Sequence, residues 1–245
     1  MSSPLSPTPL PPGERGCKLP SPLAGEGPGE RGRFPPAVSP RRVGLFGGAF
    51  DPPHDAHVAL ARAAVAQLAL DRLHIAPTGG AWHKPYPLSP AADRLAMCHL
   101  AFDGLPAVVV DDRELRRPGH SYTIDTLTEL RAQYPQAELF LQIGADQAAA
   151  FHTWRRADEI AQIATLSIAV RADPAGATGA FDVSNPLPGV AIDPARVRVL
   201  PLPAMPHSAT EIRRLAAEGR RIDHLAPAAV AGYIANHHLY QPQPA

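Results

Sequence analysis

The sequence predicts an α/β fold, a doubly wound parallel sheet finished by C-terminal helices. Two observations carry this. Beyond Arg41, short apolar runs alternate with stretches whose apolar residues recur every three or four positions. The runs are also continuous rather than alternating, as in strands that helices cover on both faces.

Val43 to Phe46 is the first such run, and it ends in Gly47-Gly48, which reads as a buried strand entering a tight turn. From Asp55 to Leu70 the spacing turns helical, with Val58, Ala61, Val65 and Leu68 on one face. Strands are expected at residues 72–77, 107–111, 138–143, 165–170 and 196–200, the run at 107–111 β-branched and apolar. Helices are expected at 90–102, with Leu95, His99 and Phe102 on one side, and at 122–134, with Ile124, Leu127 and Leu130 inward. Two more, at 208–218 and 226–236, close the chain. The Pro-, Gly- and Ala-rich stretch 172–195 reads as a long surface loop. In such a sheet ligands sit at the carboxyl ends of the strands, so the loops after Phe46, Pro77, Asp111 and Ile143 should line the site.

The first forty residues are different material. Of the 30 prolines, 11 fall within residues 1–40, together with six glycines, and apolar periodicity is absent. Such a stretch buries too little surface to offset its ordering entropy. It is expected to be disordered, either as a tail or as upstream sequence translated from a misplaced start. Pro12-Gly13-Glu14-Arg15-Gly16 recurs as Pro28-Gly29-Glu30-Arg31-Gly32, but two copies make no solenoid. The folded domain is then residues 41–245.

Composition excludes several classes. Apolar residues are 45% and charged residues 19%, enough for a core. Lys+Arg and Asp+Glu both number 23, which argues against a nucleic-acid binder. Cys17 and Cys98 form no CxxC, so a disulfide framework is not expected and a reducing cytoplasmic setting fits. No apolar run approaches the roughly 18 residues that span a bilayer, and no signal peptide is evident. A homo-oligomer is left open.

Chemistry concentrates at strand ends. Residues 47–57 read Gly-Gly-Ala-Phe-Asp-Pro-Pro-His-Asp-Ala-His. Two glycines after a strand admit a close ligand. His54 and His57, three apart, share one side of a helix start, where free N–H groups and the helix dipole favour anions. Imidazole donors there can hold phosphate oxygens and stabilise charge during phosphoryl or nucleotidyl transfer. Each piece also has a plain reading: a turn, a polar helix start, or a zinc pair for which no third ligand is obvious.

This block, Gly47-Gly48-Ala49-Phe50-Asp51-Pro52 with His54-x-x-His57, resembles the signature of the nucleotidyltransferases with the His-x-Gly-His motif, which have a Rossmann-like fold. Ala49 and Ala56 stand where members commonly have Thr and Gly. Ser208-x-Thr210-x-x-Arg213 resembles the family's second signature, which holds ATP phosphates. Read plainly, Ser208 and Glu211 form a capping box, and Arg213 offers a forked cation suited to phosphate. His83-Lys84-Pro85 partly matches a Pro-Pro-His-Lys/Arg element of the nicotinate-nucleotide adenylyltransferases, with Trp82 at the second Pro. Ser121-Tyr122-Thr123 looks like the region that receives the nicotinate carboxylate there, although Ser121 also reads as an N-cap. Asp146 matches a Gly-x-Asp element that could accept ribose hydroxyls. Trp154 matches a Thr-Trp element; it could stack on a pyridinium ring or be core. The resemblance runs over about residues 42–240 and is nearest to the bacterial nicotinate-nucleotide adenylyltransferases.

What the resemblance implies is adenylyl transfer from ATP to nicotinate mononucleotide, with Mg²⁺ arriving on ATP and no dedicated metal ligands. His54, His57 and Arg213 would be catalytic. Gly47, Gly48, Ala49, Phe50, His54, His57, Ser208, Thr210 and Arg213 would bind ATP. His83, Lys84, Ser121, Tyr122, Thr123, Asp146 and Trp154 would seat the mononucleotide. The rivals are a sister transferase acting on nicotinamide mononucleotide or phosphopantetheine, a non-catalytic nucleotide-binding protein, and a metal-dependent hydrolase using the two histidines.

Overall fold

Six parallel strands form one sheet, in the order Val108–Val110, Arg72–Pro77, Arg42–Gly48, Glu138–Gly144, Thr165–Ala172 and Val197–Pro203. The structure is a computed structural model that describes residues 39–79, 88–172, 181–182, 184–203, 205 and 208–241. The expectation of disorder for residues 1–40 therefore lies almost wholly outside the described residues, as do His83 and Lys84.

The strands are β1 (Arg42–Gly48), β2 (Arg72–Pro77), β3 (Val108–Val110), β4 (Glu138–Gly144), β5 (Thr165–Ala172) and β6 (Val197–Pro203). Each expected strand is present within a few residues. Their central positions carry Val, Ile, Leu and Phe on both faces, and both faces are covered. One cluster packs Leu45, Leu141 and Ile168 under Ile124, Leu127 and Leu130 of α4 (Thr123–Gln133). The other packs Phe46, Ile75 and Phe140 under α1 (Asp55–Gln67) and α2 (Ala91–Phe102). A third holds Met97 of α2 against α7 (Ala209–Ala217) and α8 (Ala228–Asn236).

Chain order reverses between β1 and β4, which are hydrogen-bonded neighbours with Leu45 opposite Leu141. Their helices leave on opposite faces, and a crevice opens at the strands' carboxyl ends. The loops after β1, β2, β3 and β4 all emerge at that end.

Four details differ from the sequence expectation. On α1 the fully buried residues are Leu60, Ala61 and Ala64, with Val58 and Val65 packed at the margin. On α2 the buried face is Arg94, Met97, Cys98 and Phe102, while His99 is exposed and pairs with Asp103. The phase was misjudged because a buried arginine sits at a core position. The β4–β5 crossover contains α5 (Ala145–Ala149) and α6 (Ala157–Ile163), and α3 (Arg113–Arg116) precedes α4; these short helices were not expected. The stretch 172–195 is not purely surface, because Leu187 is buried in the α4-side cluster with Phe181, Val190 and Ile192 against it. Residues 173–180 lie outside the described residues.

Candidate active site

The site forms where β1 hands over to α1. β1 runs between β2 and β4 and stops at Gly48, where an added Cβ would press on the Phe50 ring at 3.2 Å. Phe50 turns the chain with φ 46°, a left-handed value that a bulky residue keeps only when packing holds it. That packing is visible: Phe50 is 2% exposed and meets Phe46, Phe102 and His57 edge-on. The Asp51–Pro52 peptide is cis.

His54 then becomes the N-cap of α1, and His57 occupies the third helical position. Their rings stack at 3.8 Å between centroids. The His54 backbone N–H donates to His57 Nδ1 at 3.2 Å. That N–H can only donate, so Nδ1 accepts and Nε2 carries the proton of the neutral ring. Burial first, and the His54 ring second, hold the His57 pKa well below the ordinary histidine value. The ring is therefore a neutral Nε2–H donor at physiological pH. Ala56 lies within the α1 helix, so no left-handed residue is demanded at that position.

The second motif opens α7. Ser208 is the N-cap and its hydroxyl accepts from the Glu211 N–H at 3.2 Å, as expected of a capping box. The Glu211 carboxylate, however, is turned to Arg214. Arg213 Nη2 donates to the Thr210 hydroxyl at 3.3 Å, and its Nη1 donates to the Asp51 carbonyl at 2.6 Å. Two motifs 162 residues apart thus meet, one guanidinium touching both.

Of the expected mononucleotide residues, the described ones follow the carboxyl ends of β3 and β4. The Ser121 hydroxyl donates to the Glu114 carbonyl at 3.1 Å, and Thr123 begins α4 after the N-cap Tyr122. Ser121 is therefore not the N-cap; it ties the approach to α4 back onto α3. The Arg155 guanidinium lies 4.5 Å over the Tyr122 ring. Asp146 is an exposed residue in the first turn of α5, at the carboxyl end of β4. Trp154 is half-buried, tilted against Phe151 at 5.2 Å and packed on the core cluster. One part of its surface is core and another is open.

Sequence reasoning missed several residues that hold these loops. Arg94 and Asp51 are buried behind the first loop, and Tyr240 reaches it from the C-terminal tail. Glu114 is buried behind residues 121–123; its carboxylate accepts from the Thr126 hydroxyl at 2.8 Å, and burial raises its pKa. Gly79 passes so close that an added Cβ would sit 2.3 Å from the Glu114 carbonyl. Among the described residues, no three or more His, Cys, Asp or Glu gather to hold a metal ion.

Comparison with known proteins agrees with this architecture. The cytidylyltransferase-like family model matches residues 45–215. A protein of Albidiferax ferrireducens, named "Probable nicotinate-nucleotide adenylyltransferase", is 51% identical over 201 residues, covering 82% of this chain and 98% of the relative. The chain belongs to this nicotinate-nucleotide adenylyltransferase family. A Bordetella avium member of the same name is 40% identical, over 82% of this chain and 99% of its own. Among solved structures, Plasmodium falciparum nicotinic acid mononucleotide adenylyltransferase complexed with NaAD matches with TM-score 0.63 and 17% identity, over 82% of this chain and 97% of that one. At that identity the likeness is one of fold.

Proposed function

We infer that the chain transfers the adenylyl group of ATP to nicotinate mononucleotide, giving deamido-NAD and pyrophosphate. A phosphate oxygen of the mononucleotide attacks the α-phosphorus of ATP. The new P–O bond forms as the bond to the bridging α,β-oxygen breaks, and the electron pair leaves with pyrophosphate. Such a displacement needs aligned reactants and stabilised charge more than a covalent nucleophile.

The observation that carries the reading is the Arg213 contact with Asp51, which brings the two phosphate-type helix starts to one place. His57, as a neutral Nε2–H donor, and His54 beside it would stabilise charge at the α-phosphate. Ser208, Thr210 and Arg213 would hold the departing β- and γ-phosphates, with Gly47 to Phe50 shaping the backbone beneath. Residues 121–123 would take the nicotinate carboxylate, Asp146 the ribose hydroxyls and Trp154 the pyridine ring. His83 and Lys84 would add to the mononucleotide side. Among the described residues no acidic cluster gathers, and a divalent cation would suit such a site by arriving on the triphosphate, where it would offset phosphate charge; Mg²⁺ is the ion that fits this use. No helix among the described residues is long and apolar enough to cross a membrane, which accords with a cytoplasmic enzyme acting on soluble nucleotides.

The direct test uses ATP labelled at the α-phosphorus, Mg²⁺ and nicotinate mononucleotide. The label should appear in the dinucleotide while unlabelled pyrophosphate is released. Label left in AMP, or ATP bound without pyrophosphate release, would overturn the reading.

A further inference from the structure

The loop bearing the histidines is held from behind by Ser89, Arg94 and Tyr240, which lie outside both phosphate motifs. Arg94 of α2 is 2% exposed; its Nη1 donates to the Ala49 carbonyl at 3.0 Å and its Nε to the Ser89 carbonyl at 3.1 Å. Asp51 is 3% exposed. One of its carboxylate oxygens accepts from the Ser89 N–H at 3.0 Å, and the other accepts from the Tyr240 hydroxyl at 2.7 Å. Tyr240 lies beyond residue 215, where the family match ends, and holds φ 68°. A tyrosine keeps that left-handed value only where its surroundings fix it.

We propose that Tyr240 is a positioning residue for adenylyl transfer, latching the C-terminal tail onto Asp51 so that the loop from Ala49 to His54 stays in its phosphate-binding geometry. The proposal rests on the adenylyl-transfer reading. Its physical basis is a short hydrogen bond from a hydroxyl to a buried carboxylate, which is stronger than a neutral pair. Burial, together with the Asp51 carboxylate, keeps the Tyr240 hydroxyl protonated and donating. Without that donor one oxygen of a buried carboxylate loses its partner, and the cheapest remedy is movement of the Asp51 loop toward water. That loop carries the Asp51 carbonyl held by Arg213, and it leads into His54. A displacement of about 1 Å at reacting groups is enough to cost on the order of a hundredfold in rate.

Tyr233 supplies the control. Its hydroxyl donates to Asp93 on α2 at 2.8 Å, so it docks α8 without touching the loop. Tyr240→Phe should lower kcat by about ten- to a hundredfold with KM for both substrates nearly unchanged. In the same variant, amide hydrogen exchange over residues 49–54 should quicken about tenfold, since loops report local opening directly. Tyr233→Phe should alter neither. The proposal is overturned if Tyr240→Phe leaves kcat at the wild-type value, if its loop exchange is unchanged, or if Tyr233→Phe lowers kcat equally. Should the wild-type protein release no pyrophosphate, the adenylyl-transfer reading fails by itself, and the exchange comparison still decides the latch.

Discussion

His57 is the residue on which the proposed chemistry turns, and its geometry makes two measurable statements. Under the proposed reaction its Nε2–H would be a donor beside the place where charge accumulates, so His57→Ala should lower kcat by roughly a hundred- to a thousandfold, the cost of removing one such donor. KM for the mononucleotide should change little, and steady-state kinetics with each substrate varied in turn separates the two. The second statement concerns pH. The folded pKa lies below the unfolded value of about 6.5, so as pH falls the unfolded chain takes up the proton first. The stability from the neutral ring is present above about pH 6.5 and drains as pH falls toward the folded pKa. Urea midpoints measured between about pH 7.5 and 5.5 should therefore fall more steeply for wild type than for His57→Gln. Parallel slopes would show that the ring is not held neutral. Both histidines were legible in the sequence because the motif is local: two glycines and two imidazoles lie within eleven positions at the end of a strand. Asp51 and Tyr240 were not recognised as partners, because their bond spans 189 positions. Arg94 was missed because a charged residue in a helix reads as solvated, and only its two carbonyl partners explain its burial.

Among elements, the carboxyl end of β2 and the start of α4 are locked by close approach. Gly79 lies against the Glu114 carbonyl, whose other contact is the Ser121 hydroxyl. Gly79→Ala would set a methyl 2.3 Å from a backbone oxygen that no side-chain rotation can relieve. The expected cost is about 1–3 kcal/mol of stability, read by urea unfolding, with KM for the mononucleotide raised because residues 121–123 shift. Gly44→Ala is the comparison. Its Cβ would press closely on the methyl ends of Leu70 and Leu73, at 2.7 Å, far from residues 121–123 in the chain, so it should destabilise without moving KM. The strands were legible because they are continuous apolar runs between turn residues. The short helices α3, α5 and α6 were not, since four to seven residues give too little periodicity to separate a helix from a loop. The α2 face came out of phase because its pattern was read without Arg94.

At the scale of the whole molecule, a site is assembled from pieces far apart in sequence. The order β3-β2-β1-β4-β5-β6 places the loops after β1 and β4 on either side of one crevice. Arg213 then closes it from α7, touching Thr210 on its own helix and the Asp51 carbonyl on the far side. A lysine keeps the charge but cannot make both bonds from one rigid plane. Arg213→Lys should therefore lower kcat/KM for ATP by at least about tenfold, or 1.4 kcal/mol, with the unfolding midpoint changed little. Equal kcat/KM would show that charge alone is used. That the two motifs converge was implied by resemblance; that one guanidinium joins them came only from the fold.

The central claim is that this crevice joins ATP to the acid form of the mononucleotide. Its most direct test is kcat/KM for nicotinate mononucleotide against nicotinamide mononucleotide, at saturating ATP and Mg²⁺, with both pyrophosphate and dinucleotide measured. A preference for the acid of at least about a hundredfold is expected, because the amide lacks the charge that the start of α4 would receive. Equal turnover of the two, or faster turnover of the amide, would contradict the account.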